Sequence, residues 1–247
     1  LENRELKAYL RDAVHLLPER HRLVIVGYFL EGRKSQELAA FLGVTESRIS
    51  QLRSEALEML RDELDVPVLG VIEPGARAGA AASRKKRIGV LATQGTVNSR
   101  AYERALHAVD SRIEVFALAA PLLVPLAEEG WLEGEVPRLV VERYLTPLTQ
   151  KDIDALVLGC THYPLLGGVI RAEAARLAGP ELVVVDSAQA TAQELAHLLV
   201  TKGLRERRSG RGKLRLMLTD LPGRFAEVAS RFLQEDLEGL DVEQVDL

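Results

Sequence analysis

The stretch DALVLGCTHYPLL (154–166) decides how the larger part of this chain folds. From Ala155 to Leu158 it is wholly apolar, the pattern of a strand buried on both faces, as in a parallel sheet covered by helices. It then turns polar at once, so that Gly159, Cys160, Thr161 and His162 fall on the loop at the strand's carboxyl end. In open α/β sheets that edge is where ligands bind, and a helix starting nearby aims amide hydrogens at an anion. A cysteine placed there can be held as thiolate by the adjacent His162 and by those amides, which suits it to take a proton from a carbon acid. The loop alone fits a buried, inert cysteine as well.

Similar runs lie on either side: PVLGVI (67–72), RIGVLAT (87–93), IEVFALA (113–119), ELVVVDS (181–187) and KLRLMLT (213–219). Amphipathic helical stretches separate them, which predicts an α/β parallel sheet covered on both faces, of the flavodoxin-like kind that the family resemblance given below implies. Upstream, from Leu1 to Asp65, apolar residues recur three or four apart without a β-rich run, so this part is expected to be all-α. The expected units are therefore 1–65 and 66–247. No Gly/Ser linker joins them. Lys202 to Lys213 is rich in basic residues and glycine, and reads as a solvated loop.

Within the all-α part, Ser35 is expected to cap a helix with core positions Leu38, Ala39 and Leu42, and Gly43 to permit a tight turn. Thr45 caps the next helix, with an apolar face of Ile49, Leu52, Ala56, Leu57 and Leu60. Two helices joined by so short a turn predict a helix-turn-helix, whose second helix enters the major groove. Glu46, Ser47, Arg48, Ser50, Gln51 and Arg53 are its expected exposed, DNA-facing positions, arginine to guanine and glutamine to adenine being the usual pairings. Residues 1–64 hold ten Lys/Arg and eleven Asp/Glu, so the segment alone would bind DNA weakly.

The totals limit the alternatives. With 47% hydrophobic and 28% charged residues and a net charge of −4, the chain is of ordinary globular composition. No apolar run approaches the roughly 20 residues of a membrane span and no signal-peptide core opens the chain, so a cytoplasmic location is expected. Its single cysteine forms no internal disulfide. No glycine-rich nucleotide fingerprint, no lysine placed for pyridoxal phosphate and no metal-ligand spacing is found, so neither cofactor nor metal is expected.

LPERHRLVIVGYFLEGRKSQELAAFLGVTESRISQLRSEALEML (17–60) resembles region 4 of sigma factors, most closely the flagellar and sporulation type. The resemblance implies contact with promoter DNA and RNA polymerase through residues 17–64. Nothing resembles the part of a sigma factor that melts promoter DNA, so initiation by this chain unaided is not expected. From Val66 to about Leu233, GVIEPGARA (70–78), GVLATQGTVNSRAY (89–102), LLVPLAEEG (122–130) and LGCTHYPLL (158–166) together resemble glutamate racemase. The resemblance implies glutamate as substrate, Cys160 as one of two proton-transferring cysteines, Thr161 and His162 as residues that bind substrate and assist it, Glu128 as a carboxylate close to the site, and Thr93 and Thr96 on a loop facing the substrate. From the residues alone, Glu128 also fits a surface position, and Thr93 and Thr96 fit a helix cap.

Racemisation needs a proton to leave one face of the α-carbon and another to arrive on the opposite face, and the family sets a cysteine on each side. This chain has one. The family's early part, with an Asp-Ser-Gly strand end and a Cys-Asn-Thr loop, has no counterpart. Residues 87–199 would form one of its two lobes whole, with 67–83 and 213–235 as remnants of the other. Such remnants would expose an apolar edge and face, which favours pairing with another chain, a second copy included, aggregation or disorder. Three expectations follow. One is a racemase-type protein of D-glutamate supply for peptidoglycan, inactive alone. Another is a DNA-binding regulator with an amino-acid-sensing lobe. The third is a joining of unrelated genes, favoured by the abrupt junction and by Leu1 in place of Met.

Overall fold

The computed structural model describes residues 12–31, 33–63, 69–206, 215–218, 225–233 and 241–244. Pro18, with φ near −52°, leads into helix α1 (Glu19–Ile25), which passes through a π turn at Val26–Leu30. Helix α2 (Ser35–Leu42) follows. Ser35, expected as its cap, is instead its first residue; Lys34 precedes the helix, and its backbone N–H donates to Glu37 at 3.2 Å. Gly43 ends α2 at φ 64°, and Thr45 Oγ1 accepts the Arg48 N–H at 3.2 Å to start α3 (Glu46–Glu63). Val24, Leu38, Ala39, Ile49 and Leu52 close one small core, while Leu17, Ile25 and Ala56 close another. Leu57 was expected on the apolar face of α3 but is 47% exposed, because the short α1 and α2 cover only the stripe through Ile49, Leu52 and Ala56.

The larger part is built on a parallel four-stranded sheet in the order β2–β1–β3–β4, formed by β1 (Arg87–Ala92), β2 (Glu114–Ala119), β3 (Ala155–Gly159) and β4 (Val183–Asp186). Around it run α4 (Ile72–Ala82), α5 (Gln94–Ser99), α6 (Ala101–Val109), α7 (Leu123–Glu128), α8 (Glu135–Thr149), α9 (Gly167–Ala178) and α10 (Ser187–Thr201). Strand side chains alternate between faces. Ile88, Val90, Ala155 and Val157 pack with Ala76 of α4 and with Tyr102 and Leu106 of α6. Leu91, Leu156 and Leu158 pack with Leu123, Val141, Leu145 and Ile170 of α7, α8 and α9. Both faces of the two central strands are thus covered, which is why these strands read as continuous apolar runs.

Two expectations change. Of 67–72, expected as a strand, residues 67 and 68 lie outside the described residues, 69–71 have no regular structure, and Ile72 opens α4. Glu73 and Pro74 fall in the first turn of that helix, where an acidic residue meets free amides and proline sacrifices no intrahelical bond. The segment 213–219 supplies β5 (Arg215–Leu218), paired in parallel with β6 (Asp241–Gln244), a strand not foreseen in this short polar sequence. Between them in the chain runs α11 (Phe225–Leu233). Residues 202–206 of the basic stretch are exposed, and 207–213 lie outside the described residues. Among the described residues, no helix is long and apolar enough to cross a membrane.

Candidate active site

In the strand order β2–β1–β3–β4 the connections leave β1 and β3 in opposite directions, which opens a crevice between their carboxyl ends. Ala92 and Gly159 are register partners across that gap, so Thr93 and Cys160 leave adjacent strands side by side. A Cβ on Gly159 would lie 2.7 Å from the Tyr102 ring and 3.2 Å from Ala92, so the strand end needs glycine to pass this close.

Cys160 is half-buried, with its Sγ 3.9 Å from His162 Nδ1. His162 Nε2 is 3.3 Å from Glu128 Oε1, at the end of α7. The fold therefore brings Cys160, His162 and Glu128 into one line, sulfur to imidazole to carboxylate. A neutral imidazole with its proton on Nε2 can accept from the thiol through Nδ1 while donating to the carboxylate. Burial pushes the Cys160 thiol up, and the backbone N–H groups of His162 and Tyr163, which pull it down, do not offset this. The resting sulfur is thus held towards the thiol, contrary to the thiolate expected from the sequence. On the neighbouring strand end, Thr93 caps α5: its Oγ1 accepts the Thr96 N–H at 3.4 Å, and the two hydroxyls lie 3.0 Å apart. Thr161 is exposed on the loop.

Several supports of this edge were not legible in the sequence. Ser187 Oγ donates to the Leu158 carbonyl at 2.7 Å and lies 3.0 Å from the Tyr102 hydroxyl, steadying the end of β3. The Tyr163 hydroxyl donates to the Ala120 carbonyl at 2.9 Å, tying the loop after β3 to the end of β2. From α11, Arg231 donates to the Glu128 carbonyl at 2.8 Å, and the Phe232 ring stands edge-on to His162 at 5.6 Å. A hydroxyl just after a buried strand is a weak signal for such a role, and the position of α11 left none.

Of the six expected DNA-facing residues of α3, two are exposed as expected and four are not. Glu46 and Arg48 are exposed, whereas Ser47, Gln51 and Arg53 are partly covered. Ser50, expected to be exposed, is buried at 6% exposure, because α3 packs on α5 and Ser50 Oγ donates to the Gly95 carbonyl at 3.4 Å. Ser47 Oγ donates to the Asn98 carbonyl at 3.2 Å.

Comparison with known proteins agrees with both parts. Residues 13–62 match the family model for sigma-70, region 4, and residues 53–195 match that for Asp/Glu/hydantoin racemase. The chain is 42% identical over 220 residues to a glutamate racemase of Geobacter metallireducens, covering 87% of this chain and 79% of the relative. It is 46% identical over 178 residues to one of Neisseria meningitidis serogroup A, spanning 72% of this chain but only 64% of that relative's length. Among solved structures, a glutamate racemase isoform of Bacillus anthracis superposes with a TM-score of 0.72 at 33% identity, covering 87% of this chain and 82% of that one. The glutamate racemase of Francisella tularensis, solved in complex with D-glutamate, does so with a TM-score of 0.68 at 27% identity, over 94% and 84% of the two chains. With its parallel sheet, its strand-end cysteine and a family match over more than half its length, the chain belongs to the Asp/Glu/hydantoin racemase family.

Proposed function

We propose that the chain is a glutamate racemase-type protein carrying one side of the proton-transfer site, with a sigma-like helical segment in place of the family's first catalytic half. The observation that carries this reading is the line Cys160–His162–Glu128 at the crevice between β1 and β3. Cys160 is the proton-transferring group. Its thiol proton passes to His162 Nδ1 as substrate binds, Glu128 stabilises the imidazolium, and the thiolate then takes the α-proton of glutamate. His162 and Thr161 also hold the substrate, with Thr93 and Thr96 across the crevice.

Returning a proton to the opposite face needs a second acid, and the sequence holds no second cysteine. The chain alone is therefore inactive in racemisation and capable only of one-sided exchange. In this proposal residues 1–65 and 66–247 are the two units, with a whole lobe at 87–199 and partial first-lobe segments at 67–83 and 213–235. D-Glutamate supply for peptidoglycan is the process to which a complete relative would contribute.

The test is exchange of the α-hydrogen of L- and D-glutamate in deuterated water, with optical rotation followed in parallel, for this chain and for Cys160→Ser. Exchange from one enantiomer only, lost in the variant and without change of rotation, is expected. Racemisation by the chain alone, or exchange that survives in Cys160→Ser, would sink the proposal. A second reading is favoured by the region 4 match: a regulator that binds promoter DNA and polymerase through residues 17–64, its α/β lobe sensing an amino acid. In that case glutamate would change affinity for DNA.

A further inference from the structure

Some of the face that a helix-turn-helix presents to the major groove is already occupied in α3 within this chain. Ser47 and Ser50 both donate to backbone carbonyls of α5, at Asn98 and Gly95, and Ser50 retains 6% of its exposure. The flanking cations are also engaged. Arg48 bonds Gln51 at 3.2 Å and Glu55 at 2.9 Å, and the Arg53 guanidinium lies 4.3 Å from the centre of the Tyr28 ring. Helix α5 is in turn the short helix capped by Thr93, whose hydroxyl meets that of Thr96 beside the strand-end crevice. One face of α3 thus covers the back of the loop that borders the candidate active site.

We propose that this face of α3 is a shared surface, holding either α5 or the backbone of duplex DNA but not both, so that DNA binding and a braced Thr93–Thr96 loop exclude one another. The proposal rests on the second reading above, since it needs α3 to be competent for DNA. The physical reason is steric. A duplex cannot reach Ser47 and Ser50 while carbonyls of α5 sit on their hydroxyls, and it gains the charge of Arg48 only by drawing it from Glu55. The hydrogen bonds of the docking contact are two hydroxyl–carbonyl bonds, neutral on both sides, which a ligand that binds only the released face displaces.

The experiment is hydrogen–deuterium exchange of the full chain, read on the peptide that covers Gln94–Ser99, with and without a saturating mixed-sequence duplex at low salt. Duplex affinity is measured in parallel for the wild type, Ser50→Trp, and the double variant Ser47→Ala/Ser50→Ala. Duplex is expected to speed exchange of the α5 amides about tenfold, and Ser50→Trp to speed it to a similar extent without DNA. The double alanine variant removes both hydroxyls without adding volume, and it should give the same direction of change in α5 exchange even where tryptophan perturbs folding. Duplex that binds while α5 keeps its protection overturns the proposal and leaves the DNA-binding reading standing. Absence of duplex binding by all three forms overturns both. No amino acid is present in any arm, so the outcome is independent of the glutamate chemistry.

Discussion

At the scale of single residues, the proposed site turns on how a half-buried thiol is activated. Desolvation disfavours the Cys160 thiolate more than two backbone N–H groups favour it, so proton loss depends on the neighbouring imidazole. Alkylation of Cys160 by iodoacetamide should accordingly rise with pH to a half-point above that of an ordinary thiol; a half-point below that value would contradict the burial seen here. Glu128→Gln keeps the shape but removes the charge that faces His162. It should lower one-sided exchange about 10- to 100-fold with little change in the concentration of glutamate needed, and an unchanged rate would remove Glu128 from the relay. Cys160, Thr161 and His162 were legible because they follow an unbroken apolar strand. The contact of Arg231 with Glu128 was not, since it joins segments about a hundred residues apart in the chain.

At the scale of elements, the sheet is held where it begins as well as where it ends. Asp154, just before β3, accepts from the Ser83 hydroxyl and from the backbone N–H groups of Arg84 at 2.7 Å and Lys85 at 2.6 Å, fastening the turn from α4 into β1. Burial raises its carboxyl, but the three donors together outweigh this and hold it below the usual carboxylate value. A carboxyl depressed in the folded state stabilises the fold above its unfolded value, near 3.8, and that contribution is lost as pH falls through the lower folded value. Asp154→Ala should destabilise the lobe by about 2 kcal/mol at neutral pH, with the difference from wild type shrinking below pH ~4 in urea titrations. Helix α4 lies so close to β3 that a Cβ on Gly79 would come within 2.6 Å of the Val157 side chain. Alanine is the better helix former by about 1 kcal/mol, yet a fully buried β-branched valine cannot swing aside. Overpacking should win, with Gly79→Ala destabilising by about 1–2 kcal/mol in the same titration; a more stable variant would show that α4 can lift off the sheet. The absence of a strand over 69–72, the described part of 67–72, has a similar cause. Its apolar run suits a strand or a buried helix, and the lobe offers a helical berth from Ile72 onward.

At the scale of the whole molecule, the helical segment keeps its own small cores, and those of the α/β lobe are separate from them. Two units with separate cores are expected to unfold in separate steps. The chain's one tryptophan, Trp131, lies between α7 and α8, so its fluorescence reports the lobe alone. On heating, far-UV circular dichroism should show a first loss of helix before that fluorescence changes; coincident transitions would mean that the contact of α3 with α5 joins the two units into one cooperative unit. What the sequence determined by itself was the class of each part: periodicity near 3.6 gives helices, buried β-branched runs give parallel strands, and a polar break after an apolar strand marks the ligand edge. Only the tertiary structure decided which side chains meet there, and it turned Ser47 and Ser50 of the apparent DNA face of α3 towards α5. Periodicity reveals that a face exists, whereas what covers that face depends on contacts distant in the chain.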